Sequence, residues 1–156
     1  MRLDEKVQER FWAKVAKSDG CWDWTACTLN GYGRFGVRGR VMLAHRVSWL
    51  IAGKRLKPAS SGYEIDHRCL NKSCVNVAHL REVTKKQNAE NVAGARSHSK
   101  SGVRGVYWIK SHSKWRVVVH HGGKNYYGGH YPDLEDAARA ARAKRNELFT
   151  HNEGDK

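Results

Sequence analysis

No run of the chain reaches the roughly eighteen apolar residues of a membrane span. Its first residues, Met1 to Lys6, carry acids and lack the apolar core of a secretory signal, so a cytoplasmic protein is expected. No tandem repeat or low-complexity tract is present, and 156 residues suit one domain or two small ones. Acids are the scarcest group, 15 Asp and Glu against 29 Lys and Arg, a net charge of +14. They are bunched, which leaves Trp24 to Tyr63 and Asn91 to Pro132 with none, while each of those stretches holds seven Lys or Arg interleaved with Trp or Tyr. That imbalance argues against an ordinary metabolic enzyme of neutral charge and predicts a polyanionic partner met by two basic surfaces in series. Membrane headgroups fit less well than phosphates, because neither stretch reads as an amphipathic helix. With 40% hydrophobic residues the chain is nevertheless of the folded kind.

The hydrophobic spacing of Leu3, Val7, Phe11 and Val15 predicts a helix over Asp4 to Val15. Cys21 to Ala44 alternates and is broken by glycines, which predicts short strands with a turn near Arg38-Gly39. Ala44 to Ala52 reads as a helix with Val47, Leu50 and Ile51 on one face. Tyr63 to Ile65 is extended, and Thr84 with Gln87 forms a capping box for a helix from Lys85 to about Val92. Further on, Val103 to Ile109, Trp115 to His121 and Asn125 to His130 read as three antiparallel strands. A helix capped by Asp133 follows, with Leu134, Ala138, Ala141 and Leu148 as a small-residue stripe to back the sheet.

Four cysteines in a chain without an export signal favour metal ligation over disulfides. Cys69, Cys74 and His79 follow one another at short loop spacing, and Cys21 lies upstream. Together they make a Cys3His set of the structural zinc type, which can stand in for hydrophobic core. The alternatives are a Cys69–Cys74 disulfide or buried thiols beside a core histidine, with Cys27 the lesser candidate for the fourth ligand and otherwise a buried thiol. Asp66 and His67 immediately precede this loop, and Asn88 lies on the capped helix after it. A carboxylate and an amide oxygen suit Mg2+ or another divalent metal held beside phosphates. A neutral imidazole at His67 suits deprotonation of water near pH 7.

The segment from Phe11 to about Asn91 resembles the HNH, or His-Me finger, nucleases common in phages, in the branch with a zinc-bound core. The residues that carry the likeness are Phe11 to Val15, Cys21 to Trp24, Gly31 to Phe35, Ala44-His45-Arg46, Asp66 to Cys69, Cys74-Val75-Asn76, His79-Leu80 and Gln87-Asn88. It is also similar to the His-Cys box homing endonucleases in the order of its histidines, cysteines and later asparagine. The resemblance implies His67 as general base, Asp66 and Asn88 as catalytic metal ligands, Asn76 as a loop-orienting residue, and Cys21, Cys69, Cys74 and His79 as structural zinc ligands. Val77 stands where those nucleases usually have proline.

The segment from Ser101 to about Phe149 resembles the Apetala-type, ethylene-response-factor DNA-binding domain. The likeness is carried by Gly102 to Val106, Trp115-Arg116-Val117, Gly129 to Tyr131 and Glu135 to Ala138. That family enters the major groove with its sheet. Alternation turns Trp115, Val117 and Val119 toward the helix and Arg116, Val118 and His120 outward.

The expected fold class is therefore α+β: a zinc-stabilised ββα-metal nuclease domain over residues 1–94, a basic linker over 95–100, and a three-stranded antiparallel sheet on one helix over 101–150. The expected activity is metal-dependent hydrolysis of duplex DNA by a homing-type phage endonuclease in the host cytoplasm, with structural Zn2+ and catalytic Mg2+. Monomer and homodimer remain open. Arg38, Arg40, Arg46, Arg104, Arg116, His120, Asn125 and Tyr127 are the expected DNA contacts, Arg46 being equally suited to a structural pairing. The rival expectation is a non-catalytic, zinc-stabilised DNA-binding regulator, and RNA binding through exposed aromatics is a third.

Overall fold

Asp4 opens the first helix, its carboxylate accepting from the Val7 amide at 3.0 Å, and α1 (Glu5–Trp12) follows. In this computed structural model, which describes residues 3–92 and 94–155, α1 stops short of the predicted Val15. The reason is a long-range pairing: Val15–Ala16 becomes β1 and lies antiparallel to β2 (Asp23–Trp24). Phe11 is fully buried, with ring centroids 4.9 Å from Trp12 and 5.2 Å from both Trp24 and Phe35. Tilted and edge-on rings at these separations add to the area they bury.

Next comes a small antiparallel sheet in the order β3 (Thr28–Leu29), β4 (Tyr32–Val37), β5 (Arg40–Leu43). Arg38 and Gly39 join β4 to β5, both at positive φ (48° and 76°), the two-residue turn whose twist matches a hairpin. Gly33, Phe35 and Val37 are the buried residues of β4. Gly33 sits so close beneath Trp24 that an added Cβ would lie 2.6 Å from its ring and 2.8 Å from the Ala44 Cβ. Helix α2 (Ala44–Ile51) then buries Ala44, His45, Val47, Ser48, Trp49 and Leu50, a wider surface than the single face predicted. Its Ser48 hydroxyl donates to the Val75 carbonyl, which ties the helix to the cysteine loop.

β6 (Tyr63–His67) pairs antiparallel with β7 (Leu80–Thr84), so the cysteine loop is the connection of a hairpin. Within it Asn76 caps the turn Val77–His79 by accepting from the Ala78 amide, and its own amide donates to the Gly20 carbonyl at 2.8 Å. The predicted capping box forms: the Gln87 side chain accepts from the Thr84 amide at 2.9 Å, and the Thr84 hydroxyl accepts from the Gln87 amide at 3.2 Å. It starts α3 (Lys85–Glu90).

Contacts divide the chain into two compact units, Met1–Asn88 and Ala89–Lys156. The division falls before the 95–100 segment read as a linker. Glu90 and Asn91 join the second unit: a Glu90 carboxylate oxygen accepts from the Thr150 amide at 3.0 Å, and the Asn91 side chain accepts from the Glu153 amide at 3.1 Å. The second unit is an antiparallel sheet in the order β10 (Lys124–Tyr131), β9 (Lys114–His121), β8 (Val106–Ile109), covered by α4 (Leu134–Leu148). Asp133 caps α4, accepting from the Glu135 amide at 2.7 Å. Val106, Val117, Ala137 and Ala141 form the core. The helix stripe therefore centres on Ala137 rather than Ala138. It continues into a buried Arg145, which pairs with Asp155 and donates to the Arg104 carbonyl. No helix of the described residues is long and apolar enough to cross a membrane.

Candidate functional site

Four ligand atoms meet where the cysteine loop folds back on the segment before β2. The donor atoms of Cys21, Cys69, Cys74 and His79 all lie within 4.8 Å of one another. His79 Nδ1 is 3.6 Å from both the Cys21 and the Cys74 sulfur. A tetrahedral zinc with ordinary Zn–S and Zn–N bonds puts sulfur and nitrogen about 3.6 Å apart, so the set fits that ion. All four cysteines are unbridged, and Cys27 is exposed and outside the cluster, which corrects its reading as a buried thiol. Burial pushes the Cys74 thiol up to about 12, and pushes Cys69 up as well. Thiols in such surroundings give up their protons to a cation rather than to water.

Short backbone bonds hold the cluster in place. The Trp24 amide donates to the Ser73 carbonyl at 3.0 Å and the Val75 amide to the Trp22 carbonyl at 2.8 Å, while Asp23 accepts from Asn71 at 2.7 Å and from Ser73 at 3.0 Å. These bonds bring Cys21 to the loop.

Beside this cluster the end of β6 carries Asp66 and His67, exposed by only 6% and 5%. His67 Nε2 lies 3.0 Å from the Cys74 carbonyl. A carbonyl only accepts, so the proton is on Nε2 and the neutral ring carries its lone pair on Nδ1. Burial holds His67 below its ordinary 6.5, against the Cys74 carbonyl and the Asp66 charge, which pull it up. Asp66 is clamped across the hairpin by Arg81, whose Nε and Nη2 both lie 3.0 Å from Oδ2. Asn88 on α3 donates its amide to Glu64 rather than to Asp66.

Two further rings close the site, and sequence reasoning gave neither a role. The His45 centroid is 4.5 Å from that of His67, and Tyr32 lies 5.8 Å from His45 and 6.0 Å from His67. His45 is 4% exposed and its Nδ1 has no hydrogen-bond partner among the described residues. The Tyr32 hydroxyl is raised above its ordinary 10.0 by burial first, then by the charges of Asp66 and Glu64. The residue pattern that could have exposed Glu64 is its position two before Asp66, on the same face of a strand.

The basic residues expected to touch DNA separate into groups. Arg38 and Arg40 are exposed at the β4–β5 turn, Arg38 within 3.9 Å of Asp4, and Arg46 is half-buried beside Glu64 and Glu82. In the second unit Arg116, His120, Asn125 and Tyr127 share the open face of the sheet, His120 opposite Asn125 and Tyr127 opposite Val118. Tyr107, which pairs with Arg116, and His130 extend that face. A bulge between Tyr127 and Gly129 returns His130 to the side of Tyr127, and the hydroxyl meets His130 Nδ1 at 2.6 Å. Arg104 departs from this group. It turns inward to donate to the Ala89 and Glu90 carbonyls at 3.0 and 2.9 Å, and stacks 5.1 Å from the Phe149 ring centroid.

Residues 42–90 match the HNH endonuclease family model. That span runs from β5 through α3 and contains Asp66, His67, Asn88 and three of the four zinc-type ligands. The chain is 33% identical over 75 residues to "Protein 7.7" of Escherichia phage T7, a stretch covering 47% of this chain and 55% of the relative. It is 40% identical over 58 residues to "Uncharacterized gene 5.3 protein" of Enterobacteria phage T3, covering 37% and 54%. The chain thus spans about half the length of these curated relatives. No solved structure matches it. Together the matches support an HNH nuclease of phage type.

Proposed function

We propose that the chain is a metal-dependent endonuclease that hydrolyses phosphodiester bonds of duplex DNA, of the homing type, with the sheet of the second unit as the element that reads the duplex. The observation that carries this is the bond between His67 Nε2 and the Cys74 carbonyl, within the segment that matches HNH endonucleases. It leaves Nδ1 as the proton acceptor of a neutral, buried imidazole, the form general base catalysis needs. His67 takes a proton from water as the water oxygen bonds to phosphorus, the bond to the 3' oxygen breaks, and that oxygen is protonated by solvent. The products are a 5'-phosphate and a 3'-hydroxyl. Asp66 and Asn88 supply hard oxygen donors, the set that suits Mg2+ or a similar divalent ion. Such an ion, when bound, supplies neutralisation of the charge that builds on the phosphate and the leaving oxygen. Cys21, Cys69, Cys74 and His79 would hold Zn2+ as a structural ion, fixing the peptide that orients His67. Arg38, Arg40 and Arg46 neutralise flanking phosphates.

For the second unit, support comes from an open sheet face lined by Arg116, His120, Asn125, Tyr127, Tyr107 and His130, in a stretch without acids. Arg104 is assigned a structural role there.

The test is a supercoiled plasmid incubated with the zinc-loaded chain, with and without Mg2+, reading nicked and linear product. Cleavage should require Mg2+ and vanish in His67→Ala, with gel-shift binding retained. Cleavage that persists in His67→Ala removes the role given to that histidine. Binding without cleavage by the parent chain favours the regulator instead.

A further inference from the structure

The Asn88 amide is tied to Glu64, its Nδ2 donating to Oε2. The chemistry of the pair dictates which way the amide faces. A carboxylate only accepts, so Asn88 must present nitrogen to Glu64, and its oxygen Oδ1 is turned the other way. An amide binds a hard cation through oxygen alone. Arg81 plays the complementary part at Asp66, its Nε donating to Oδ2 at 3.0 Å and its Nη2 forming an ion pair with the same oxygen. Each expected ligand is thus claimed on one side by a charged partner of opposite chemistry.

Position and charge single out Glu64. It lies two residues before Asp66 on β6 and therefore on the same face of the strand. After burial, both carboxylates raise the Tyr32 hydroxyl, so both charges are felt on that side of β6. Arg81 offsets the charge of Asp66, and Glu64 adds a second carboxylate on that face of the strand. We propose that Glu64 is a positioning residue of the cation site: it holds the Asn88 amide with its oxygen toward the ion. The inference rests on the reading of Asp66 and Asn88 as the cation ligands.

It is tested without cleavage, by following Mn2+ binding to the zinc-loaded full chain in the absence of DNA by electron paramagnetic resonance. The variants are Glu64→Gln, Asp66→Ala, Asn88→Ala and the double Glu64→Gln/Asn88→Asp. A glutamine can turn its own amide to meet the oxygen of Asn88, so Glu64→Gln should weaken Mn2+ binding about 10- to 100-fold. In the double variant the carboxylate introduced at 88 has oxygen on both sides and accepts from the new amide at 64, so affinity should return toward that of the parent. Parent affinity in Glu64→Gln, with binding lost in Asp66→Ala and Asn88→Ala, overturns the role of Glu64 alone. A loss in Glu64→Gln that the double variant does not recover overturns the orienting role. Parent affinity in both alanine variants overturns the cation reading itself, and this inference with it.

Discussion

Burial of His45 in α2, edge-on to His67, has a measurable consequence for stability. Burial first, then the neighbouring His67 and Arg46, lower its pKa from 6.5 to about 3. Between those values the unfolded chain takes up a proton that the folded chain refuses. Stability is therefore fully present above pH 6.5 and is lost as pH falls toward 3, at up to about 1.4 kcal/mol for each pH unit in that window. In His45→Phe, melting temperatures measured from pH 7 to pH 5.5 should fall less steeply than in the parent. Equal slopes would mean His45 is protonated in the fold. In the sequence His45 was visible only as a member of a motif, and Glu64 only as part of an extended segment. A charged or polar side chain looks alike whether it will face solvent or a neighbouring ligand, and only the folded β6 and α2 decide. Asp66, His67 and the four zinc-type ligands stood out because their chemistry depends on spacing along one loop plus a single distant cysteine. Arg104 was misread for the opposite reason. It was expected to contact DNA, and it is consumed inside the second unit by the Ala89 and Glu90 carbonyls and the Phe149 ring.

Close packing governs the paired strands and helices of the first unit. Gly33→Ala would drive a methyl into the Trp24 ring and the Ala44 Cβ, and should cost about 1–3 kcal/mol, read as a lowered urea midpoint with unchanged slope. Truncating Phe11 to alanine removes the centre of the aromatic cluster and should cost about 3–5 kcal/mol in the same titration. Features with local causes were readable in advance: the Arg38-Gly39 turn, the Thr84 and Gln87 capping box, the Asp133 cap and the three C-terminal strands. The two-residue strand β1 was not, because its partner β2 is itself held by the cysteine loop some fifty residues later, through Ser73 and Val75. The bulge beyond Tyr127 was hidden as well. Strict alternation would separate Tyr127 from His130, whereas the irregular pairing near Gly129 returns both to one face.

Across the entire chain, charge and metal set the expected behaviour. A net charge of +14 with basic residues in both units predicts steep salt dependence, about 0.9 log units of DNA affinity lost per phosphate contact for each tenfold rise in salt. Exchanging Arg116 for glutamine should lower that slope by about one contact, measured by fluorescence anisotropy across a salt series. Removal of zinc should open the first unit to protease while the sheet of the second unit keeps its protection, since its core of Val106, Val117, Ala137 and Ala141 uses no metal. Cleavage sites mapped by mass spectrometry would read this directly, and uniform protection after chelation would contradict it. The partner that sets the proton on His67 is a main-chain carbonyl, that of Cys74. A gene can delete a side chain in one step, but it cannot delete a carbonyl. Among cleavage-dead mutants that still bind the divalent cation, a screen should therefore return His67 itself and residues that move the Cys74 peptide, such as Cys74 and Asn76, and no side chain whose part is to accept from His67 Nε2. The orientation of the His67 ring is in that sense inherited with the backbone, and it is protected from the commonest kind of mutation.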